Sequence, residues 1–330
     1  MATLRYYIID VFASTAYQGN PLAVVDTTTT PPLTNTQMKL IARQFNLSET
    51  TFICPPTSTK ATWRLRSFLP NGEEVFGAGH NSLGAWWWIA HSGLVDVHIT
   101  PGTPQRGRIY HQQLGDNILP VEISQSNLGD IIISMRQGQP QFLNKHTNPE
   151  SLSRSLGIKE SDIGLKNAGI ELDEPRVVTT SPARHLLVPV RDMEVLRNVS
   201  FADKDGIAKE LASTSSYNSG VYVFTSVAIE DGSPVPRFEA RFFSPGMGME
   251  DPATGSAAGP LAAYMWAKNA GTLGDKMAQI EVLQGVQTGR RCLMKLCVEV
   301  VEDGFAISIS GTGVLVADGN IVIPSLDVSF

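Results

Sequence analysis

Short apolar runs separated by polar turns make up the first part of the chain. The runs "YYIIDVF", "GNPLAVVD", "SETTFIC" and "ATWRLRSF" are bounded by turn residues, and each predicts a β-strand. Between the second and third runs, residues 34–45 place Met38, Ile41 and Phe45 at helical spacing behind a Thr or Asn cap. This segment is therefore predicted to be an amphipathic helix, and "GAWWWIAHSG" a second helix that ends near Gly93.

The rest of the chain continues the alternation of strands and helices. Further strands are predicted at "VHIT", "ILPVEIS", "DIIISM", "PARHLLVPV", "GVYVFTSVA" and "RFEARFFSP", and in the strand-rich carboxy-terminal part. Helices are predicted at "SLSRSL", at about residues 200–213 and after "PATGSAAG", whereas the polar residues at about 138–162 are interpreted as a crossing segment. Strand pairs joined by tight turns indicate antiparallel or mixed sheets, so we predict an α+β fold rather than a doubly wound one.

Two glycine-rich segments lead directly into predicted helices. They are "FGAGHNSLGAWWW" at residues 76–88 and "GMGMEDPATGSAAGPLAAYMW" at residues 246–266. Because each glycine costs a helix interior about 1 kcal/mol relative to alanine, this density indicates that something approaches the backbone closely. A loop of small residues at a helix amino terminus exposes unpaired N–H groups at the positive end of the helix dipole. Two facing loops predict a site for a small carboxylic acid, with phosphate as the rival ligand.

Neither glycine-rich segment has the pattern of a nucleotide site. No Gly-Lys-Ser/Thr follows either loop, as a Walker A loop requires, and the run from Gly77 to Ser82 does not complete G-x-G-x-x-G. Nucleotide binding is therefore the weaker interpretation of both loops.

The sequences before the two loops resemble each other. Arg66-Ser67-Phe68-Leu69-Pro70 precedes the first loop, and Arg241-Phe242-Phe243-Ser244-Pro245 precedes the second. Each R-x-F-x-P stretch ends a predicted strand and leads through small residues into an apolar helix. Chance recurrence over five loosely matched positions is the alternative, but the equal placement before a helix favours a duplicated half.

Titratable side chains lie where a ligand of the two loops would bind. His80 belongs to the first loop, and Glu250 and Asp251 belong to the second. Asp251 has a second interpretation as a helix N-cap, which is compatible with ligand contact. Glu49, in "NLSETTF", has by its pattern alone the character of a surface-loop acid. The remaining histidines show no ligand spacing, so no metal site is predicted.

Length and composition limit the class of protein. A chain of 330 residues exceeds the usual size of one core, which favours two domains. The net charge is −6 and Lys and Arg are scattered, so no nucleic-acid partner is expected. The densest apolar run, residues 85–90, is far too short to span a membrane, and the amino end lacks the features of a signal peptide. Three cysteines without metal spacing suit a reducing compartment, so a cytoplasmic protein is expected.

Taken together, these segments resemble the phenazine-biosynthesis PhzF-like family. The similarity covers essentially the whole chain and rests on "DVFASTAYQGNPLAVV", "LSETTF", "GAGHNSLG" and "EDPATGSAAG". It implies the fold of diaminopimelate epimerase and proline racemase, in which two similar domains each wrap a sheet around a central helix and the active site lies in the cleft between them. The expected domains are residues 1–128 with 314–330, and residues 129–313.

The resemblance implies the site residues. Glu49 would move the proton, assisted by His80 and Asp251, and a partly dry cleft would raise the pKa of Glu49 toward neutrality. No cofactor is implied. The related two-thiol epimerases place cysteines at positions that correspond to Gly79 and Asp251, so racemisation by paired thiols is not expected here. The substrate-binding residues expected are Asn20, Gly79, Asn81, Ser82, Gly255 and Ser256.

The expected activity is that of a cofactor-independent isomerase acting on a small cyclic or unsaturated carboxylic acid. A lyase or hydratase that uses the same glutamate is one alternative, and a non-catalytic interaction protein that keeps the fold is another. Asn81 stands where the family usually has proline, which leaves the substrate itself open. The resemblance also implies a homodimer; two of the three tryptophans 86–88 are expected in the core and the third against a neighbouring subunit.

Overall fold

The structure, a computed structural model, describes most of the chain. The described ranges are 2–77, 79–97, 107–167, 170–216, 219–228, 235–246, 250–273, 277–302 and 304–330. Parts of the predicted strand "VHIT" and of both glycine-rich segments, at residues 98–100, 78 and 247–249, lie outside these ranges. The chain forms two compact units, Met1–Met135 with Ser310–Phe330 and Arg136–Ile309.

The elements confirm the predicted α+β class. The α-helices are α1 (Asn35–Phe45), α2 (His80–His91), α3 (Pro149–Leu156), α4 (Met193–Asn198), α5 (Lys204–Ser213) and α6 (Gly255–Leu273), with a 3₁₀ turn at Glu160–Asp162. The strands are β1 (Thr3–Val11), β2 (Asn20–Asp26), β3 (Thr50–Cys54), β4 (Trp63–Phe68), β5 (Glu74–Val75), β6 (Arg108–Leu114), β7 (Asn117–Gln125), β8 (Ile131–Arg136), β9 (Gln141–Lys145), β10 (Leu165–Asn167), β11 (Ile170–Leu172), β12 (Arg176–Thr179), β13 (Leu186–Pro189), β14 (Val221–Val227), β15 (Arg237–Phe243), β16 (Glu250–Asp251), β17 (Met277–Gln284), β18 (Cys292–Val301), β19 (Gly304–Gly311) and β20 (Gly313–Val322).

The first unit is built on a mixed sheet in the order β20-β1-β2-β3-β4-β6-β7-β8. The β2–β3 and β4–β6 pairs are parallel and the others antiparallel, while β5 pairs with the end of β4. Helix α2 packs against β1, β2, β3, β4 and β20, so it is the central helix of this unit. Helix α1 packs on β3 and β4, where Met38 and Ile41 enter a separate apolar cluster.

The second unit repeats this strand pattern. Its sheet runs β9-β12-β13-β14-β15-β17-β18, with β16 paired to the end of β15. The β13–β14 and β15–β17 pairs are parallel, as β2–β3 and β4–β6 are in the first unit. Helix α6 contacts β11, β12, β17 and β18 and is the central helix of this unit, while α4 packs on β14 and β15.

Helix α2 is apolar around its whole circumference, which is typical of a helix buried on all sides. Residues from His80 to Ala90 are all buried. Gly84 allows the closest approach, since a Cβ added there would lie 2.6 Å from Val11 Cγ2 and 2.7 Å from Leu22 Cδ2. The glycine density of this segment therefore has a packing cause as well as the predicted ligand-binding one.

The three tryptophans of α2 are all covered within their own unit. Trp86, Trp87 and Trp88 are 0%, 7% and 8% exposed. Trp86 Nε1 donates to Gln112 Oε1 at 3.1 Å, and Trp88 stacks on Tyr7 with ring centroids 3.7 Å apart. The expectation that one tryptophan faces a neighbouring subunit is therefore wrong, because the sheet and its neighbouring side chains already bury all three rings.

Local capping explains where the helices differ from the predictions. The segment at 138–162, interpreted as a crossing, contains the strand β9. Helix α3 confirms the helix predicted at "SLSRSL" but begins earlier, at Pro149, because the Asn148 side chain accepts from the Ser151 N–H and caps it. The helix predicted at about 200–213 begins at Lys204 behind an Asp203 cap, and α4 begins separately behind Asp192.

We expect Gly84→Ala to lower the free energy of unfolding by about 1–3 kcal/mol, because the added methyl group overlaps Val11 and Leu22 in a filled core. Urea unfolding monitored by tryptophan fluorescence measures the change. Gly77→Ala is the matched control, because a Cβ at Gly77 meets no atom within 4 Å. Equal stability of the two variants would contradict the packing role of Gly84.

Candidate active site

Glu49 and His80 meet at the amino end of α2. Glu49 immediately precedes β3, and His80 is the first residue of the helix. Their side chains approach at 3.1 Å between Glu49 Oε2 and His80 Nε2, and Ser48 Oγ lies 3.3 Å from the same nitrogen. The Glu49 side chain is 20% exposed, so the carboxyl group is neither fully buried nor free in bulk water. Two of the predicted catalytic residues are thus brought together.

The pKa of Glu49 differs from the expectation. Burial acts to raise it, but the electrostatic interaction with His80 and the short contacts of His80 and Ser48 outweigh burial and hold the pKa below its usual value. The expected rise toward neutrality is therefore wrong for this structure, because the interaction with His80 outweighs the effect of burial on the pKa of Glu49. Glu49 is a carboxylate at neutral pH and is prepared to accept a proton.

Asn81 holds the loop that enters α2. Its Oδ1 accepts from the Gly79 N–H at 2.9 Å, and its Nδ2 donates to Ser67 Oγ and to the Gly77 carbonyl, both at 3.1 Å. Ser67 Oγ in turn lies 2.8 Å from Thr51 Oγ1. Gly79, the N-cap residue, provides no side-chain cap, so the amide groups of the first turn are left to other partners. Asn81 therefore sets the conformation of the loop.

The other substrate-binding residues predicted in the first unit are buried. Asn20 begins β2 opposite Val11 and is 1% exposed. Ser82, in the first turn of α2, is fully buried, and its hydroxyl makes no hydrogen bond to any residue that the structure describes. A buried hydroxyl without a partner is costly, so Ser82 has an unused donor at the helix start.

The two R-x-F-x-P stretches make equivalent contacts in the structure. Arg66 binds the Glu74 carboxylate through Nε and Nη2, at 2.7 and 2.5 Å, and Arg241 binds Glu250 in the same way, at 3.0 and 2.8 Å. In each case the guanidinium lies over the phenylalanine ring two residues later, 5.1 and 4.8 Å from its centroid. Such two-bond pairs fix orientation as well as distance. The two hairpins that lead into α2 and α6 are therefore fastened by equivalent contacts.

Asp251 belongs to the second unit and lies in β16, before the head of α6. Its carboxylate accepts from Thr254 Oγ1 at 2.6 Å and from the Ala253 N–H at 3.4 Å. Gln284 completes the network, because its Nε2 donates to the Asp251 carbonyl and to Thr254 Oγ1, and its Oε1 accepts from the Thr254 N–H. Asp251 thus organises the chain that leads to Gly255, with Thr254 as the direct link.

His185 is a residue of the second unit that the sequence did not single out. Its Nε2 lies 2.9 Å from Ser256 Oγ, and its Nδ1 accepts from the Gly220 N–H at 3.3 Å. Burial lowers the pKa of His185 to about 4, so the ring is neutral at pH 7. Nothing in the spacing could have indicated this contact, because the two side chains are 71 residues apart.

The strand registers allow the two units to be compared residue by residue. Thr50 pairs with Phe68 in the first unit, and Val221 pairs with Phe243 in the second. Both phenylalanines belong to the two R-x-F-x-P stretches, so Thr50 corresponds to Val221. The residues just before them, Glu49 and Gly220, therefore correspond to each other. A Cβ at Gly220 would lie 2.4 Å from Phe242 Cζ, which leaves no room for a side chain. The acid of the first unit therefore has no counterpart at the equivalent position of the second.

The same comparison aligns the helix starts. Gly79 and Gly255 each lie five residues after the carboxylate of the Arg pair, Glu74 or Glu250, so by this count Gly79 corresponds to Gly255 and His80 to Ser256, although α2 begins at His80 and α6 at Gly255. Cys54, Cys292 and Cys297 form no disulfide and lie in β3 and β18 rather than at a helix start.

Neither a metal cluster nor a membrane span is present among the described residues. Within them, no group of three or more His, Cys, Asp or Glu side chains is placed to hold a metal ion. In that same part of the chain, no helix is both long enough and apolar enough to cross a bilayer.

Comparison with known proteins gives consistent matches. The family model described as "Phenazine biosynthesis-like protein" matches residues 9–319. The trans-2,3-dihydro-3-hydroxyanthranilate isomerase of Pseudomonas chlororaphis is 32% identical over 97% of this chain and 99% of its own. The crystal structure of the Bacillus anthracis phenazine biosynthesis protein of the PhzF family matches with a TM-score of 0.80 and 25% identity, covering 98% of this chain and 100% of that one. A probable proline racemase from Agrobacterium radiobacter, 11% identical with a TM-score of 0.58 and covering 98% and 94% of the two chains, is similar in fold alone.

Glu49 is expected to make stability depend on pH in one direction. Because its pKa is lower in the folded protein than the usual 4.5, the unfolded chain binds more protons just below that pH. The stabilisation by ionised Glu49 is complete above about pH 4.5 and is lost as the pH falls through the folded pKa. We expect the free energy of unfolding of Glu49→Gln to fall less steeply than that of the unsubstituted chain between about pH 5 and about pH 3.

Urea unfolding at a series of pH values measures this difference. Glu150→Gln is the control, because the Glu150–Arg154 pair is 72% exposed on both sides and such surface pairs contribute little. Identical pH dependence of Glu49→Gln and the unsubstituted chain would contradict the role assigned to the His80 contact.

Proposed function

The chain belongs to the phenazine biosynthesis-like protein family, and from that premise we propose that it is a cofactor-independent isomerase that moves a proton within a small cyclic or unsaturated carboxylic acid. Glu49 is proposed as the group that removes the proton from one carbon and returns it to another. The observation that carries the proposal is the 3.1 Å contact between Glu49 and His80 at the start of a buried helix.

The proposed proton transfer begins from ionised Glu49. The carboxylate takes a proton from an activated carbon, and the electron pair of the broken C–H bond moves into the adjoining conjugated system. Neutral Glu49 then donates the same proton to a different carbon as the new C–H bond forms. Because one group serves as base and then as acid, the sequence of steps consumes no other reactant.

His80 has two parts in this proposal. Before the transfer, protonated His80 is proposed to stabilise the Glu49 carboxylate through their 3.1 Å contact, which the lowered pKa of Glu49 supports. Once Glu49 is protonated, that attraction is lost and the imidazolium is available to stabilise negative charge that develops on the substrate. His80 thus stabilises the enzyme carboxylate before the proton transfer and the reacting molecule after it.

The single acid supports proton return by the same group. Gly220 occupies the position equivalent to Glu49 and has no space for a side chain. The cysteines, which would be needed for two-thiol chemistry, lie in β3 and β18. A mechanism with a base from each unit has no second residue at the corresponding position.

The remaining predicted residues are proposed to bind the substrate. Backbone N–H groups at the starts of α2 and α6 are suited to a carboxylate, because each helix begins with its positive end and small residues. Asp251 is proposed to orient a polar substituent of the substrate, and Asn81 to act by holding Gly79. The groups proposed to contact substrate directly are Asn20, Gly79, Ser82, Asp251, Gly255 and Ser256.

The name of a relative suggests the first class of substrate to test. A protein 32% identical to this chain is named trans-2,3-dihydro-3-hydroxyanthranilate isomerase. We therefore propose cyclic amino- or hydroxy-substituted diene carboxylic acids as the substrate class. A homodimer, implied by the family resemblance, is also proposed, and light scattering tests it directly.

We expect the chain to isomerise an acid of this class and Glu49→Gln to lower kcat by about 10²- to 10⁴-fold. Reaction in D₂O followed by mass spectrometry and proton NMR identifies the carbon that gains the proton and the fraction of product that carries deuterium. Product that retains part of the original hydrogen is the expected result, because a shielded carboxyl group returns some of its proton before exchange with solvent.

Glu150→Gln is the matched control, because Glu150 is an exposed glutamate of α3 and takes no part in the proposed steps. Full activity of Glu49→Gln would remove Glu49 from the mechanism. A product lighter by the mass of a leaving group would show that the reaction is an elimination. Tight binding of the acids without exchange or turnover would favour a non-catalytic binding protein.

A further inference from the structure

The head of α6 carries a hydroxyl group that is held by a buried histidine. Ser256 is the second residue of the helix and is partly exposed, whereas His185, just before β13, is 5% exposed. The ring of His185 is fixed on two sides, since Phe242 packs edge-on at 4.9 Å between ring centroids and the Gly220 N–H donates to Nδ1. Its Nε2 lies 2.9 Å from Ser256 Oγ.

The backbone contact determines which nitrogen carries the proton. A neutral imidazole has one donor and one acceptor nitrogen, and Nδ1 is the acceptor because it receives the Gly220 N–H. The ring is neutral because burial lowers its pKa to about 4. Nε2 therefore carries the hydrogen and donates it to Ser256 Oγ, and the serine hydrogen has to point away from the ring.

We propose that His185 is a positioning residue that fixes the Ser256 hydroxyl as a hydrogen-bond donor to an oxygen of the substrate carboxylate. A serine hydroxyl can donate or accept, and an anion is bound only by the donor orientation. With one lone pair of Oγ occupied by His185, the hydroxyl hydrogen joins the N–H groups of the first helical turn as a donor. This inference rests on the proposed function, since the carboxylate is the substrate's.

The contact between His185 and Ser256 belongs to the second unit alone, as a comparison of the two units by strand register shows. Ala23 pairs with Thr50 and Leu186 pairs with Val221, so the residue equivalent to His185 is Leu22. The residue equivalent to Ser256 is His80, which contacts Glu49. The two helix starts therefore carry different side-chain pairs, Glu49 with His80 at α2 and His185 with Ser256 at α6.

The protonation state is tested first, on the full chain without substrate. Selective ¹⁵N-histidine labelling and two-bond ¹⁵N–¹H correlation at pH 7 distinguish the two neutral forms and the imidazolium. We expect His185 to show a protonated Nε2 and an acceptor Nδ1, with loss of that signal set in His185→Gln identifying it. A hydrogen on Nδ1, or a charged ring, would overturn the proposal.

The positioning role is tested by a double-mutant cycle with substrate. We expect His185→Leu to raise KM about 5- to 10-fold with little change in kcat, as Ser256→Ala does, because one substrate hydrogen bond is lost in both. The double variant should be no worse than Ser256→Ala alone. His185→Gln, whose amide N–H₂ can replace the Nε2 donor, should restore KM to within about twofold of the unsubstituted value.

His146→Gln is the matched control, because His146 is another buried histidine of the second unit, held by Glu210 rather than by Ser256. Additive effects of His185→Leu and Ser256→Ala, or equal loss in the Leu and Gln variants, would overturn the proposal while the proposed function stands. If the unsubstituted chain turns over no acid, the proposed function fails, and the histidine NMR spectrum still decides which way the Ser256 hydroxyl is held.

Discussion

The burial of the two central helices is the constraint from which the rest of the structure follows. A helix that is covered on all sides by its own sheet has to begin where the chain can reach the interior, and its first N–H groups then lack helical partners. In the first unit, Gly84 allows α2 to pack against Val11 and Leu22, and the polar residues His80, Asn81 and Ser82 are buried together with the apolar ones. Polar side chains lie at the start of the helix because the backbone N–H groups of the first turn need hydrogen-bond partners there.

The Arg66–Glu74 and Arg241–Glu250 pairs fix the hairpins that lead into the two buried helices. Each pair joins the two strands of the hairpin that precedes a central helix, so the second strand is held in register where the chain leaves for the helix. Asn81 completes the loop in one unit, and the Asp251–Thr254–Gln284 network does so in the other. The Arg–Glu pairs occur in both units, but the residues at the equivalent position before the neighbouring strand differ. The first unit has Glu49 where the second has Gly220.

Electrostatics assigns different states to the two helix starts. The contact with His80 outweighs the burial of Glu49 and lowers the pKa of its carboxyl group, so the carboxylate is ionised at neutral pH. His185 has Phe242 against its ring and uncharged groups at its two nitrogens, and burial lowers its pKa and keeps the ring neutral. One histidine therefore contacts a carboxylate of the protein, and the other contacts a neutral hydroxyl. Residue type is the same in both, and the difference lies in whether a carboxylate is within reach.

Local signals in the sequence were sufficient for the elements whose causes are local. Thr34 and Gln37 form the reciprocal cap that begins α1, and the R-x-F-x-P echo correctly indicated two matching strand-to-helix entries. Glu49 carried no such signal, since the histidine that lowers its pKa comes from a distant helix. His185 and Ser256, 71 residues apart, were likewise beyond any spacing rule. Sequence alone determined the elements and the small-residue helix starts, because caps, glycines and periodicity act over a few residues. Which side chains meet there, and with what charge, was decided by the sheet registers that bring distant strands into contact.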